Sequence, residues 1–194
     1  MDDKKFNLLD EPWICVMKEN GEVKELSLMD VLLHAHQYRR LAGELPTQDV
    51  AVLRLLLAVL QTVVYRYDTD GNEDELVETE DAYERWKEIW NDGKLPDKPI
   101  QEYLTKWKAR FYLYDSDRPF YQVPKAAIGT ECKAAKLNGE ISESSNKLRL
   151  FSNRAGKEKE FLSNSESARW LLYLNGYDDT SAKPKEKGLP SPGT

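Results

Sequence analysis

The sequence predicts an α+β domain: a small, mostly antiparallel sheet with helices packed against it, and a long mobile basic loop. Three observations carry this. Short apolar runs bounded by turn residues mark strands around residues 13–26 and 111–123. Several other stretches repeat apolar residues at helical spacing, and residues 124–161 show almost no periodicity at all.

In chain order, Trp13 to Met17 and Val23 to Leu26 flank Lys18-Glu19-Asn20-Gly21-Glu22, and Asn-Gly between apolar runs predicts a hairpin because both residues tolerate positive φ. Ser27 before Leu28, Met29 and Asp30 marks a helix start, and a helix over 28–37 follows. Pro46-Thr47 introduces the next helix, 48–65, with Thr47 as the cap and Asp49 in the first turn. That helix is apolar around most of its circumference, which makes it central to the core. The acidic stretch 68–81 reads as a solvated loop or variable insertion. Tyr83, Trp86, Ile89 and Trp90, then Ile100, Tyr103, Leu104 and Trp107, define two amphipathic helices whose aromatic stripes are expected in the core. Phe111 to Tyr114 and Phe120 to Val123 read as strands around the turn Asp115-Ser116-Asp117-Arg118-Pro119. A last helix runs from Ser165 to Gly176, and residues 181–194, rich in Pro, Gly, Lys and Ser, form a flexible tail. Residues 1–180 are expected to form one domain.

Composition narrows the function. The chain is 40% hydrophobic and 32% charged, as ordinary globular proteins are. The apolar run 50–64 is too short to span a bilayer and no leader opens the chain, so no membrane association and a cytoplasmic location are expected. Cys15 and Cys132 lack metal-ligand spacing and are expected to be reduced thiols. The charge is unevenly spread. Residues 68–92 hold eleven acids against two bases, a net of −9, whereas residues 125–160 hold eight bases against five acids, a net of +3. A polyanion would meet the second region.

No residue set suggests catalysis, a cofactor or a metal. His34 and His36 stand two apart on the expected helix and point away from each other, with no third ligand nearby. Asp115, Asp117 and Arg118 fit a capped turn better than a phosphate clamp. Glu44, Thr47, Gln48 and Asp49 fit helix capping and dipole compensation. For residues 125–160, composition leaves two readings open, a solvated linker and a nucleic-acid contact.

Four blocks stand out: Phe6-Asn7-Leu8-Leu9-Asp10-Glu11-Pro12-Trp13-Ile14, Leu41-Ala42-Gly43-Glu44-Leu45-Pro46-Thr47-Gln48-Asp49, the run from Arg110 to Gln122, and Asn146-Lys147-Leu148-Arg149-Leu150-Phe151-Ser152. In their order and spacing across nearly the whole chain they resemble the CasA family, the large subunit of the type I-E CRISPR Cascade complex. The resemblance implies a non-catalytic subunit beside the 5′ handle of the CRISPR RNA. Such a subunit helps recognise target double-stranded DNA next to the protospacer-adjacent motif and recruits a helicase-nuclease effector, in contact with other Cascade subunits. Family members run several hundred residues further, so the chain is expected to be the amino-terminal part of such a subunit. With the resemblance, nucleic-acid contact leads for the basic segment, carried by Asn146, Lys147, Arg149, Phe151, Asn153, Arg154 and Lys157. A protein-interaction scaffold without nucleic-acid contact is the alternative; an enzyme, a metal-dependent nuclease or hydrolase, is the third reading, and the missing ligand cluster weighs against it.

Overall fold

The computed structural model describes residues 4–124, 133–138 and 154–177. The expected hairpin is present: β2 (Ile14–Met17) pairs antiparallel with β3 (Val23–Leu26), from Ile14↔Leu26 to Met17↔Val23. Gly21 takes a φ of 85° in its turn, where Asn20 Oδ1 accepts the Glu22 amide at 3.0 Å. Alternation along β2 sends Ile14 and Val16 into the core.

The expected single sheet is instead two antiparallel pieces, because hydrophobic period marks a strand without naming its partner. A short β4 (Arg40–Leu41) joins the free side of β2, and β1 (Lys5–Asn7) pairs with β5 (Tyr112–Tyr114). Phe120 to Val123 is not a strand. Tyr121 has a φ of 55°, outside extended geometry. The Phe120 amide reaches the Tyr112 carbonyl at 2.8 Å, and the Gln122 side-chain amide donates to the Leu113 carbonyl at 2.8 Å, in place of a regular ladder.

Helix α1 (Leu28–Leu33) starts on Ser27, whose hydroxyl accepts the Asp30 amide at 3.1 Å and donates to its carboxylate at 2.7 Å. It does not continue to Gln37. His34 leaves helical geometry, and a 3-10 turn follows over Ala35–Gln37. Helix α2 (Pro46–Arg66) is capped by Leu45 rather than Thr47, with Pro46 in the first turn, where a missing N–H costs nothing. Its Ala51, Val52, Leu55, Leu56, Val59 and Val63 are buried, and it packs against α4 and α6. By length and composition alone α2 suffices to cross a bilayer, a test that buried core helices also pass. Apolar residues around its circumference leave Val50, Leu53 and Leu57 more than 40% exposed.

Helix α3 (Thr79–Asp92) takes in the end of the stretch expected to be a loop, and closes on Gly93 at a φ of 68°. It departs from expectation in a second way. Arg85 is its one buried residue, while Tyr83, Trp86 and Trp90 are 56, 53 and 70% exposed. Helix α4 (Asp97–Trp107) does bury its stripe, through Ile100 and Leu104. Within the expected loop 124–161, the described residues include a short helix α5 (Ala134–Leu137) and a 3-10 turn over Gly156–Lys159. Helix α6 (Asn164–Tyr177) starts on Ser163, one turn before Glu166; the Ser163 hydroxyl accepts the Glu166 amide and the Glu166 carboxylate accepts the Ser163 amide.

The core gathers around Leu8, Leu9 and Trp13 at its amino-terminal end. Trp13 is fully buried and its indole donates to the Leu8 carbonyl at 2.9 Å. Asn7 fixes this corner by accepting the Leu9 amide and donating to the Lys108 carbonyl, 101 residues away. The opening sequence block is therefore a structural corner. Truncating Trp13 to Ala would cost about 3–5 kcal/mol, as large aromatic deletions in cores do.

Candidate nucleic-acid interface

Among its described residues, the basic segment meets the body of the domain through α5 and through Arg154. On one side α5 lies against α6, and Asn138, 1% exposed, donates its side-chain amide to the Lys159 carbonyl at 3.3 Å. On the other, Arg154 runs inward with its side chain 10% exposed. Its guanidinium meets both Glu44 oxygens at 2.8 and 2.7 Å and Glu166 at 2.8 Å, and the Trp170 indole donates to Glu44 at 3.1 Å. One guanidinium nitrogen, Nη2, thus joins the α2 entrance to the first turn of α6. Arg154 is fastened to the body of the domain, whereas the Asn138 bond ties two points of the segment to each other.

This geometry argues against Arg154 as a phosphate contact: both carboxylates are met by its Nη2, while its Nη1 donates to the Glu158 carbonyl at 3.2 Å. It also revises Glu44, which is an ion-pair partner and not a helix-dipole residue. Gln48 and Asp49 do hold the α2 entrance, accepting the amides of Glu44 at 3.1 Å and Gly43 at 2.7 Å. Burial works against the charge on Arg154, yet Glu44 and Glu166 outweigh it and hold the guanidinium above its usual range. Burial likewise pushes Glu166 up, but the Ser163 amide and hydroxyl and Arg154 bring it below the ordinary carboxylate range.

Lys157 is exposed on the 3-10 turn and available to a ligand. Asn146, Lys147, Arg149, Phe151 and Asn153 lie outside the described residues. Sequence reading passed over three further candidates. Lys133 and Lys136 are exposed on and beside α5, and Phe161, 67% exposed, stands at the end of the segment. All three line an open depression of about 630 Å³ between α5 and α6. Ammonium groups around an exposed ring suit phosphates and an unstacked base. Both lysines were already in the basic count; only their placement beside Phe161 singles them out.

The other polar clusters resolve into structure. Asp115 Oδ1 accepts the amides of Asp117 and Arg118 at 2.8 and 3.1 Å, the capped turn expected there, and these bonds lower its pKa. Among the described residues no three His, Cys, Asp or Glu side chains converge as a metal site would require. Cys15 is a free thiol that burial pushes up to about 11, against the opposing pull of Arg169.

Comparison with known proteins extends over nearly the whole chain. The family model described as CRISPR-associated protein Cse1 matches residues 7–193. A CRISPR-associated protein CasA/Cse1 of Thermus thermophilus is 32% identical over 169 residues, covering 87% of this chain and 31% of that protein. The crystal structure of Thermobifida fusca Cse1 superposes with a TM-score of 0.72 at 33% identity, over 96% of this chain and 34% of that one. A chain of a CRISPR RNA-guided surveillance complex shares the fold, with a TM-score of 0.70 at 19% identity over 90% of this chain and 35% of that one. The sequence spans about a third of the length of these relatives.

Proposed function

The chain belongs to the CRISPR-associated Cse1 (CasA) family, and from that premise we propose that it is the amino-terminal part of a non-catalytic subunit of a Cascade surveillance complex. The match across residues 7–193 carries this reading. In the assembled complex the segment between α5 and α6 contacts nucleic acid, the CRISPR RNA handle or the target DNA beside the protospacer-adjacent motif. The whole subunit then helps recruit the helicase-nuclease. Lys147, Arg149 and Lys157 meet phosphates, joined by Lys133 and Lys136, and Phe151 or Phe161 stacks on a base. Asn146 and Asn153 supply hydrogen bonds. Arg154 orders the segment from behind and touches no phosphate. The net charge of −6 makes the isolated chain a weak binder, so affinity arises in the assembly.

The test is target-DNA capture by reconstituted Cascade across a salt series. Each lysine or arginine lost from this set is expected to lower the salt slope by about 0.7–0.9, independently of DNA sequence. Phe151→Ala is expected to weaken capture by about 1–3 kcal/mol without lowering the melting temperature of the domain. If removing Lys147, Arg149 and Lys157 together changes neither capture nor its salt dependence, the segment is a linker and the scaffold reading replaces this one.

A further inference from the structure

Helix α3 is attached in an unusual way. It is amphipathic, yet what it buries is Arg85, which donates to the Val64 and Asp74 carbonyls at 2.7 and 2.8 Å and pairs with the Asp74 carboxylate. Val64 lies in the last turn of α2, so the guanidinium also serves one of that helix's unpaired carbonyls. A cation thereby fastens α3 while its apolar stripe stays open. Trp86 and Trp90 stack with ring centroids 5.6 Å apart and, with Ile89, form one wall of a groove of about 1200 Å³. Leu60, Val64 and Leu76 supply the opposing apolar surface.

We propose that this groove is a docking surface for a basic, amphipathic helical segment of a partner protein. Two exposed indoles and an aliphatic floor suit the apolar face of a helix laid between two others. Charge decides which helix. One wall of the groove lies within residues 68–92, whose net charge is −9. Glu75 sits beside the groove-lining Tyr65 hydroxyl and holds that phenol above its ordinary range. Among the described residues the lining holds three basic residues, His36, Arg66 and Lys94, and no carboxylate; Lys94 is paired with Asp97 at 2.6 Å, and the acids of residues 68–92 lie outside the lining itself. The field of those acids repels nucleic acid and anionic lipid and opposes a second copy, which would set −9 against −9. Lysines and arginines are attracted both by this field and by the exposed indole faces.

The probe is an 18-residue Leu/Lys amphipathic peptide titrated into the 194-residue chain and followed by tryptophan emission, with a Leu/Glu peptide of the same pattern as control. The Leu/Lys peptide is expected to bind with a blue shift. Trp86→Ser/Trp90→Ser should weaken binding at least tenfold with the melting temperature held, because both side chains are more than half exposed. Glu75→Lys/Glu80→Lys should weaken it several-fold at low salt and less at high salt. In the assembled complex, a photo-crosslinker at position 90 should capture a basic segment of another subunit. No binding by the Leu/Lys peptide, or equal binding by the Leu/Glu peptide, would overturn the proposal. So would a crosslink to the chain's own sequence or to a second copy.

Discussion

Arg154→Met separates the two roles that its position in a basic segment suggests. The substitution keeps the side-chain stem and deletes the fork, leaving Glu44 and Glu166 facing each other. Removing one member of a fully buried pair costs about 3–5 kcal/mol, and an exposed pair is worth about 0–1. Arg154 is 10% exposed but its carboxylate partners are 29 and 27% exposed, so water rehydrates part of what is lost. The expected cost is therefore about 2 kcal/mol, or a fall in melting temperature of about 4–8 °C for a domain of this size. Circular dichroism melts and urea titration read it directly. Glu44→Gln in the same background should recover part of the loss, with a coupling of about 1 kcal/mol or more. A melting temperature unchanged within about 1 °C, with a salt slope for target DNA reduced by about 0.7–0.9, would restore Arg154 as a phosphate contact and refute the ion-pair argument.

Three further outcomes follow from the same geometry. Arg85→Met should release α3, seen as faster amide exchange across Thr79–Asp92 while α2 around Val59 stays protected; unchanged exchange in α3 would show that apolar contacts hold it instead. Cys15, pushed up to about 11, should be alkylated at pH 8 about 100-fold more slowly than an unperturbed thiol, by peptide mass analysis, and comparable rates would contradict its burial beside Glu25. Glu166 is depressed below its ordinary value of 4.5, so its contribution to stability is complete above that value and is lost as pH falls through the lower folded pKa. Glu166→Gln should therefore flatten the acid limb of the stability curve, and an unaltered limb would exclude that contribution.

Local signals were legible where local chemistry suffices. The Asn20-Gly21 turn, the Ser27 cap and the Asp115 turn each depend on residues within a few positions of one another. The family resemblance was legible for a different reason: the order and spacing of motifs along the whole chain are themselves properties of sequence. What local chemistry could not reach was pairing across distance. Nothing near Lys5 says that it will face Tyr114, and nothing near Arg154 says that Glu44, 110 residues earlier, will claim its donors. A basic residue in a polar segment looks identical whether it faces solvent or a half-buried carboxylate, and only the folded chain brings the two carboxylates together. The α3 stripe shows the same limit from the other side. Trp86 and Trp90 repeat at core spacing, but spacing identifies a face without supplying what covers it, and here tertiary structure leaves that face open.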